Sequence, residues 1–194
     1  MEGGFQVNQN GARFSDETQG YSEQAVKVLE QPGSVAWSIY DQTRHELMLK
    51  FDDYQDAIRA KAVKQADTIE ELAELLGLPA KALEKTVATA TASTQGSVDE
   101  YGRNFEGKKP LTSPFYGAKV TGALFHTQGG LEINEKAQVL KENGEPFDNL
   151  FAGGGAARGI SGSGASGYLA GNGLLTATSL GKIAGRNAAA LVAN

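Results

Sequence analysis

The amino-acid composition of this 194-residue chain changes near residue 118. Charged residues are concentrated before that point, and glycine, alanine and serine after it. A chain of this length can form one large domain or two small ones. The change therefore predicts two structural regions, residues 1–117 and residues 118–194. Glycine permits close approach between backbone segments, so such contacts are expected in the second region.

Hydrophobic periodicity and turn residues predict a mixed α and β structure in the first region. A helix that Asp67 or Thr68 can cap ends at Gly77, and Pro79 begins a second helix, so the two form a helical hairpin. The other predicted elements of this region are a helix over 22–30, a strand over 35–40 and a long surface loop over 91–114.

Short strands and one long helix are predicted in the second region. Asn143-Gly144 between two extended segments is a strong hairpin signal. The helix runs from Gly173 to the end of the chain and has one face of small residues. Such a face is typical of close approach by something flat or by another backbone, or of tight packing on a sheet. The predicted strands cover residues 118–120, 130–133, 138–140 and, as a short buried strand, 150–152.

Composition excludes several classes of function. The formal net charge is −5 and the basic residues are scattered, so we expect no nucleic-acid binding. The chain has no cysteine, which rules out disulfides and thiolate metal sites and fits a reducing compartment, with the cytoplasm as the default location. We expect no membrane span, because no apolar run is long enough, and the first residues do not resemble a signal peptide.

The glycine-rich segment over residues 162–167 matches the dinucleotide-binding pattern G-x-G-x-x-G literally. It does not follow a strong strand, however, and no acidic residue occurs after Asp148 to hold a ribose. The segment is therefore only a weak indication of a dinucleotide site.

Five segments of the second region, in order, resemble the end of flavoproteins of the fumarate reductase and succinate dehydrogenase superfamily. A single segment would be weak evidence, whereas five in register are specific. Upstream, residues 11–17 resemble the segment that enters the capping domain of this family, and residues 66–73 resemble a helix of that domain. The five segments are residues 125–133, 137–140, 149–155, 171–175 and 181–186.

This resemblance implies an α/β fold (mixed α+β). Residues 1–117 would form a capping domain, and residues 118–194 the carboxy-terminal portion of a Rossmann-like FAD-binding domain. The resemblance also implies FAD as the cofactor, with hydride transfer between flavin N5 and a substrate carbon beside a carbonyl or carboxylate. The partners that the resemblance implies are a small-molecule substrate and an amino-terminal FAD-binding segment. No stretch before Ala118 resembles that segment. The chain is expected to be a fragment, a split subunit completed by another chain, or a remnant with a binding or structural role.

The resemblance also implies which residues bind the cofactor. Backbone close to a flavin needs glycines and free amides. The start of the last helix would point its amides and positive dipole end at the flavin N1 and O2 edge. Gly155 stands where many members of the family carry a glutamate that touches the ribityl chain, so that contact is expected to be absent. The predicted cofactor-binding residues are Gly129, Gly130, Gly154, Gly155, Gly171, Asn172, Gly173, Leu174 and Leu175.

Four residues are predicted to act on the substrate. In the family, the histidine that matches His126 binds the carbonyl or carboxylate of the substrate, and Thr127 would be a second donor. Tyr21 and Tyr168 stand where the resemblance places two arginines of fumarate reductases. Tyrosine cannot clamp a carboxylate as arginine does, so fumarate is disfavoured and the ketosteroid dehydrogenase branch is favoured. Tyr21 is then a proton donor or acceptor, and Tyr168 an orienting hydroxyl.

Structural alternatives stand beside these roles. His126 is alternatively a buried histidine that serves stability, and the two tyrosines are alternatively ordinary packing residues. Arg158 is expected to meet an anionic group or to form a surface salt bridge. His45 lies in a polar run and is expected at the surface.

Overall fold

The computed structural model describes residues 2–96, 98–124, 127–162, 164–166 and 168–193. The chain divides into two compact units, which we call the amino-terminal unit (Met1–Ala123) and the carboxy-terminal unit (Leu124–Asn194). Both contain helices and strands, so the predicted mixed α and β class is confirmed.

The amino-terminal unit is built on a four-stranded antiparallel sheet with the strand order β1-β2-β4-β3. One face of this sheet carries Trp37 and Ile39 into a hydrophobic core with the helices α4 and α5. The elements are β1 (Phe5–Val7), α1 (Tyr21–Leu29), β2 (Ala36–Asp41), α2 (Gln42–Met48), α3 (Asp52–Arg59), β3 (Val63–Ala66), α4 (Ile69–Leu76), α5 (Ala80–Ser93) and β4 (Phe115–Val120).

The predicted helical hairpin is confirmed as α4 and α5. Thr68, not Asp67, caps α4: its hydroxyl accepts a hydrogen bond from the Glu71 amide, and the Glu71 carboxylate accepts one from the Thr68 amide. This reciprocal pair satisfies two amides at the start of the helix. Leu72 and Leu83 are fully buried, so the hairpin supplies the helical side of the core.

The prediction of a surface loop over residues 91–114 is wrong in its burial. Helix α5 continues to Ser93, and in the following segment Arg103 is 2% exposed and Phe105 1% exposed. The segment enters the interior because the Arg103 guanidinium has an ionic partner there, Glu17, and lies 4.0 Å from the centre of the Phe105 ring. Arg103 therefore takes part in a buried ionic contact, although the polar composition of the segment is typical of a surface loop.

The strand predicted at 118–120 is present as part of β4, but it does not open the second region. It pairs with β2 and β3, with Tyr40 opposite Tyr116 and Val63 opposite Ala118. The amino-terminal unit therefore extends to Ala123.

The carboxy-terminal unit contains a β-hairpin and a long helix. The hairpin consists of β5 (Gln138–Leu140) and β6 (Pro146–Phe151), and the helix α6 covers Asn172–Val192. The turn predicted at Asn143-Gly144 is confirmed by hydrogen bonds between Lys141 and Glu145 and between Gly144 and Lys141. Residues 130–133 form only isolated bridges, at Leu131 and Ile133.

The buried strand expected at 150–152 is confirmed in part, because Leu150 and Phe151 end β6 and Ala152 follows it. Leu150 is 44% exposed and Phe151 is half-buried, and among the described residues β6 pairs with β5 alone. Ala152 is buried, in a small core with Val139 and Ala157.

Over the described parts of the chain, no helix combines the length and the apolar character that crossing a bilayer requires.

Candidate functional site

Backbone hydrogen bonds join two of the predicted cofactor-binding segments in the carboxy-terminal unit. The Leu131 amide donates to the Ala156 carbonyl over 2.9 Å, and the Arg158 amide donates to the Leu131 carbonyl over 3.0 Å. The Gly159 amide donates to the Gln128 carbonyl over 2.8 Å. The glycine pair at 129–130 is therefore held against the glycine-rich segment that follows β6.

Gly130 lies at a point of close backbone approach. A Cβ atom at this position would be 2.7 Å from the Arg158 amide nitrogen and closer still to the Ala157 carbonyl. Only glycine fits there, because both obstructing groups are backbone. At Gly129 no atom lies within 4 Å of the same virtual Cβ, so the neighbouring glycine faces open space.

The small-residue face of α6 is used in part for close packing. A Cβ atom on Gly154 would lie 3.2 Å from the Ala177 Cβ, and one on Gly153 would lie 3.2 Å from the Gly181 amide nitrogen. The backbone that follows β6 thus packs directly on the helix, which agrees in part with the prediction of close approach by another backbone. Added Cβ atoms on the helix glycines Gly181 and Gly185 would themselves meet nothing within 4 Å.

The start of α6 presents open backbone and apolar side chains. Gly171 occupies the N-cap in a left-handed conformation (φ 89°), and no side chain caps the helix. The Asn172 amide donates to the Leu169 carbonyl. The next two amides have no carbonyl acceptor within the helix, so they are available to a ligand. Leu174 is 77% exposed and Leu175 is also exposed. Asn172 is buried instead, and its side-chain amide donates to the Ser161 hydroxyl over 2.6 Å.

These features fit the chemistry of a flavin ring. The ring is flat and apolar on its faces, and the charge that develops at its N1 and O2 edge on reduction is stabilised by amide donors and a helix N-terminus. The open glycine backbone at Gly129, the uncapped helix start and the exposed Leu174 and Leu175 offer both kinds of contact. Asn172 stabilises the start of the helix through the hydrogen bond from its side chain to Ser161.

The four residues predicted to act on the substrate do not all lie in one unit, and one of them is not described. His126 lies outside the described residues. Thr127 is exposed, with its hydroxyl 3.5 Å from the Gly129 carbonyl. Tyr168 is partly buried in the carboxy-terminal unit, and Tyr21 is exposed at the first position of α1 in the amino-terminal unit. Among the described residues of this set, Thr127 is the one in contact with the glycine pair, to which it is also close in sequence.

Arg158 forms a surface salt bridge. Its guanidinium donates to the Glu132 carboxylate over 2.5 Å, and both side chains are more than half exposed. Of the two expectations for this residue, the salt bridge is the one observed.

Sequence analysis missed a buried ionic cluster in the amino-terminal unit, formed by Arg13, Glu17, Asp99 and Arg103. Glu17 accepts hydrogen bonds from Arg13 over 2.8 Å and from Arg103 over 2.6 Å, and Arg13 also pairs with Asp99. All four side chains are nearly inaccessible to solvent. The i,i+4 spacing of Arg13 and Glu17 is a signal that sequence alone offers for one of these pairs.

The cluster changes the acid–base properties of its members. Burial by itself would raise the pKa of Asp99, but hydrogen bonds from Arg13 and from the Arg103 amide hold that pKa below its usual value. Burial would lower the pKa of Arg13, but Glu17 and Asp99 raise it above its usual value. Arg13 and Asp99 therefore keep their charges over the ordinary pH range and serve structure.

A second buried ion pair joins the end of β2 to α2. Arg44 donates to the Asp41 carboxylate over 2.6 Å, and its other nitrogens donate to the backbone carbonyls of Glu2 and Lys109. Asp41 is also the N-cap of α2 and accepts from the Arg44 amide. Arg44 was not singled out from the sequence, because it stands in a polar run.

His45 is half-buried and not freely exposed as its polar neighbours predict it to be. Its imidazole stacks on the Tyr116 ring with centroids 4.3 Å apart, and Nδ1 lies 2.8 Å from the Tyr54 hydroxyl oxygen. The polar neighbours of His45 in the sequence gave no sign of these rings, because they come from α3 and β4.

An open cleft of about 690 Å³ lies in the amino-terminal unit beside β3 and α4. Its walls include the carboxylates of Asp67, Glu71 and Glu74, and none of the predicted site residues. The acidic lining makes it unsuited to a carboxylate substrate or to the phosphates of a cofactor.

Comparisons with known proteins agree with these features. The profile of the FAD binding domain family matches residues 1–174. A probable fumarate reductase, Ifc3, from Shewanella frigidimarina is 33% identical over 188 residues, covering 96% of this chain and 31% of that protein. A 3-oxosteroid 1-dehydrogenase from Mycobacterium tuberculosis is 29% identical, covering 78% of this chain and 33% of that protein.

A solved structure agrees as well. The open conformation of a flavocytochrome c3 fumarate reductase superposes with a TM-score of 0.73 at 32% identity, covering 97% of this chain and 32% of the other. The chain thus spans about a third of the length of the proteins that it matches.

Proposed function

This chain belongs to the FAD binding domain family, and from that premise we propose that it forms part of an FAD-dependent oxidoreductase. The reaction would transfer hydride between flavin N5 and a carbon–carbon bond activated by a carbonyl or carboxylate. The observation that supports this proposal most is the surface of the carboxy-terminal unit, where open glycine backbone, exposed leucines and an uncapped helix start occur in one unit.

We assign the cofactor contacts to this surface. Backbone at Gly129, Gly171 and Gly173 would lie against the ring, with Leu174 and Leu175 packing on it. Gly130 and Gly154 would act indirectly, because their missing side chains let neighbouring backbone segments pack closely. FAD, when bound, would accept or donate the hydride.

The amino-terminal unit is proposed to be the capping domain, covering the substrate and excluding water during hydride transfer. A capping role requires a unit that keeps its shape while it moves. The core around Ile39, Leu72 and Leu83, together with the buried ionic cluster, gives the unit such internal rigidity.

Polar side chains would then handle the substrate. His126, with Thr127 beside it, would bind and polarise the carbonyl, and the Tyr21 phenol would give or take a proton. Tyr168 would orient the substrate through its hydroxyl. Neither tyrosine clamps a carboxylate well, which favours a ketone over a dicarboxylate as substrate, in line with the steroid dehydrogenase among the relatives.

We propose further that the complete enzyme needs a polypeptide segment that supplies the phosphate-binding part of the FAD site, either in the same chain or as a partner. Two observations support this. The chain spans about a third of its relatives, and the described part of the carboxy-terminal unit has four buried hydrophobic residues, three of which form its core, with β6 largely exposed. A second candidate is a remnant with a binding or structural role.

Flavin binding tests this proposal. The purified chain alone should be colourless, because in this proposal the adenosine half of FAD binds to the further segment. Co-expression with the amino-terminal FAD-binding segment of a related fumarate reductase should yield a yellow complex whose flavin absorbance co-elutes with both polypeptides. The control is that segment expressed alone. Tight FAD binding by this chain alone would show that no further segment is needed, and failure of the pair to bind would favour the remnant.

Substitution of His126 tests the chemistry. In the flavin-containing complex, His126→Ala should lower kcat/KM about 100-fold or more, because the polarising contact to the substrate is lost. FAD content should stay unchanged. The control is Glu84→Ala, at an exposed position of α5, which should turn over at nearly the unmodified rate. Equal rates for both variants would remove His126 from the mechanism without affecting the assignment of FAD.

A further inference from the structure

Helix α3 (Asp52–Arg59) is weakly attached to the amino-terminal unit. None of its eight side chains is buried, whereas α4 and α5 each contribute fully buried residues to the core. Phe51, directly before the helix, is also exposed. Elements with few buried contacts open locally at a much lower free energy than the core.

Two side chains of α3 hydrogen-bond to the chain before the helix, and one of them, Tyr54, reaches β2 and α2. The other, Gln55, donates its side-chain amide to the carbonyl of Leu49, which follows α2, over 2.8 Å. The Tyr54 hydroxyl lies 2.8 Å from the Tyr40 hydroxyl on β2 and 2.8 Å from His45 Nδ1 on α2. Among the described residues, these are the side-chain hydrogen bonds that reach from α3 to β2 and α2. The Tyr40 and Tyr54 rings also meet edge to face at 6.3 Å.

The hydroxyls of Tyr40 and Tyr54 and the Nδ1 atom of His45 can supply one donor and one acceptor to each of their two hydrogen bonds. Burial raises the pKa of Tyr40 and of Tyr54, so both phenols keep their hydrogens at neutral pH. With the His45 nitrogen as acceptor, Tyr54 donates to His45 and Tyr40 donates to Tyr54, so two hydrogens fill two hydrogen bonds. Tyr40 is almost fully buried, so its hydroxyl would lose its partner if α3 moved away.

The chain on either side of α3 is fixed independently. Helix α2 is anchored by Arg44, which bonds to Asp41 and to the backbone of Glu2 and Lys109. After α3, Lys61 turns the chain in a left-handed conformation (φ 57°), and β3 then pairs with β4. Residues 49–51 and 60–62 are therefore the points at which α3 can pivot while α2 and the sheet stay in place.

We propose that α3 is a movable strap on the amino-terminal unit, held closed by the Tyr54 hydroxyl between Tyr40 and His45. Loss of the two Tyr54 hydrogen bonds would let the strap move away from β2 and α2. This movement would expose the stack of His45 on Tyr116 without opening the hydrophobic core. The capping unit would thus have a second conformation available. The proposal goes beyond flavin binding and does not depend on it, because every group involved lies in the amino-terminal unit.

Amide hydrogen exchange, measured by mass spectrometry on the 194-residue chain, tests the strap. In the unmodified chain, residues 52–59 should exchange faster than α4, α5 and β2. Tyr54→Phe keeps the ring and removes both hydrogen bonds, so exchange in 52–59 should accelerate about tenfold or more while the core helices are unaffected. Tyr40→Phe removes one of the two bonds and should give a smaller acceleration.

The control is Tyr101→Phe, which removes a hydroxyl that donates to the Arg13 carbonyl elsewhere in the same unit. It should leave exchange in 52–59 unchanged. The strap is refuted if residues 52–59 are protected as well as α4 and α5 in the unmodified chain. It is equally refuted if Tyr54→Phe and Tyr101→Phe have the same effect on them.

Discussion

Glu17→Gln is expected to destabilise the amino-terminal unit by about 3–5 kcal/mol. The Glu17 carboxylate accepts hydrogen bonds from Arg13, from Arg103 and from the Gln6 amide, and its side chain is 6% exposed. Glutamine has nearly the same size but no charge, so two guanidinium groups would stay buried with only the Asp99 carboxylate for compensation. Breaking a buried ion pair from one side is costly because the remaining charge has lost its partner and cannot reach water.

The measurement is urea unfolding of the 194-residue chain, followed by the fluorescence of Trp37, which lies in the core of this unit. Glu30→Gln is the matched control. Glu30 forms a salt bridge with Lys27 over 2.9 Å, but both side chains are about half exposed, so its loss should cost less than about 1 kcal/mol. A typical domain is stable by about 5–15 kcal/mol, so the first variant should lose a large share of that stability. Similar midpoints for the two variants would mean that the cluster is solvated.

This cluster also shows where sequence reasoning reaches its limit. The hairpin of α4 and α5 was predicted correctly because its signals are local: a capping threonine, helical spacing of leucines and a glycine at the end. Glu17 and Arg103 are separated by 86 positions, and no local pattern joins them. A polar segment such as 99–105 therefore looks like a surface loop until its distant partner is known.

Burial in the carboxy-terminal unit was predicted only in part, for a related reason. The apolar residues around Leu150 predict a buried strand, and the strand is present, yet in this chain its faces are largely exposed. A sequence shows that a residue is suited to burial but not which polypeptide covers it.

The glycine pattern was more informative than the tyrosines. Gly130 and Gly154 were predicted as cofactor-binding residues, and both lie where neighbouring backbone or Cβ atoms of this chain leave little room for a side chain. Tyr21 and Tyr168 were assigned by resemblance alone, and they lie in different units, so their proposed roles await a functional test. A close backbone contact requires glycine and is therefore visible in the sequence. A tyrosine hydroxyl can serve either packing or chemistry, so the sequence alone does not separate its two roles.

The two adjacent glycines allow the strongest test of the cofactor surface. Gly130→Ala is expected to destabilise the carboxy-terminal unit by more than about 3 kcal/mol, because the added methyl would overlap the backbone of Ala157 and Arg158. The hydrogen bonds of Leu131 with Ala156 and Arg158 would break as the segments move apart. In the flavin-containing complex, this variant should fail to retain FAD. Amide exchange at residues 131–140 and 156–159 measures the structural loss, and flavin absorbance the loss of cofactor.

Gly129→Ala separates the two roles of glycine, because the same methyl one residue earlier meets nothing within 4 Å. Amide exchange in the chain alone should therefore match that of the unmodified chain. If open backbone at this position lies against the flavin, the methyl occupies space that the ring needs, and FAD binding by the complex should weaken although the fold is intact. Full FAD binding by Gly129→Ala would move the ring away from this segment, and tolerance of Gly130→Ala would show that the two backbone segments are not in contact.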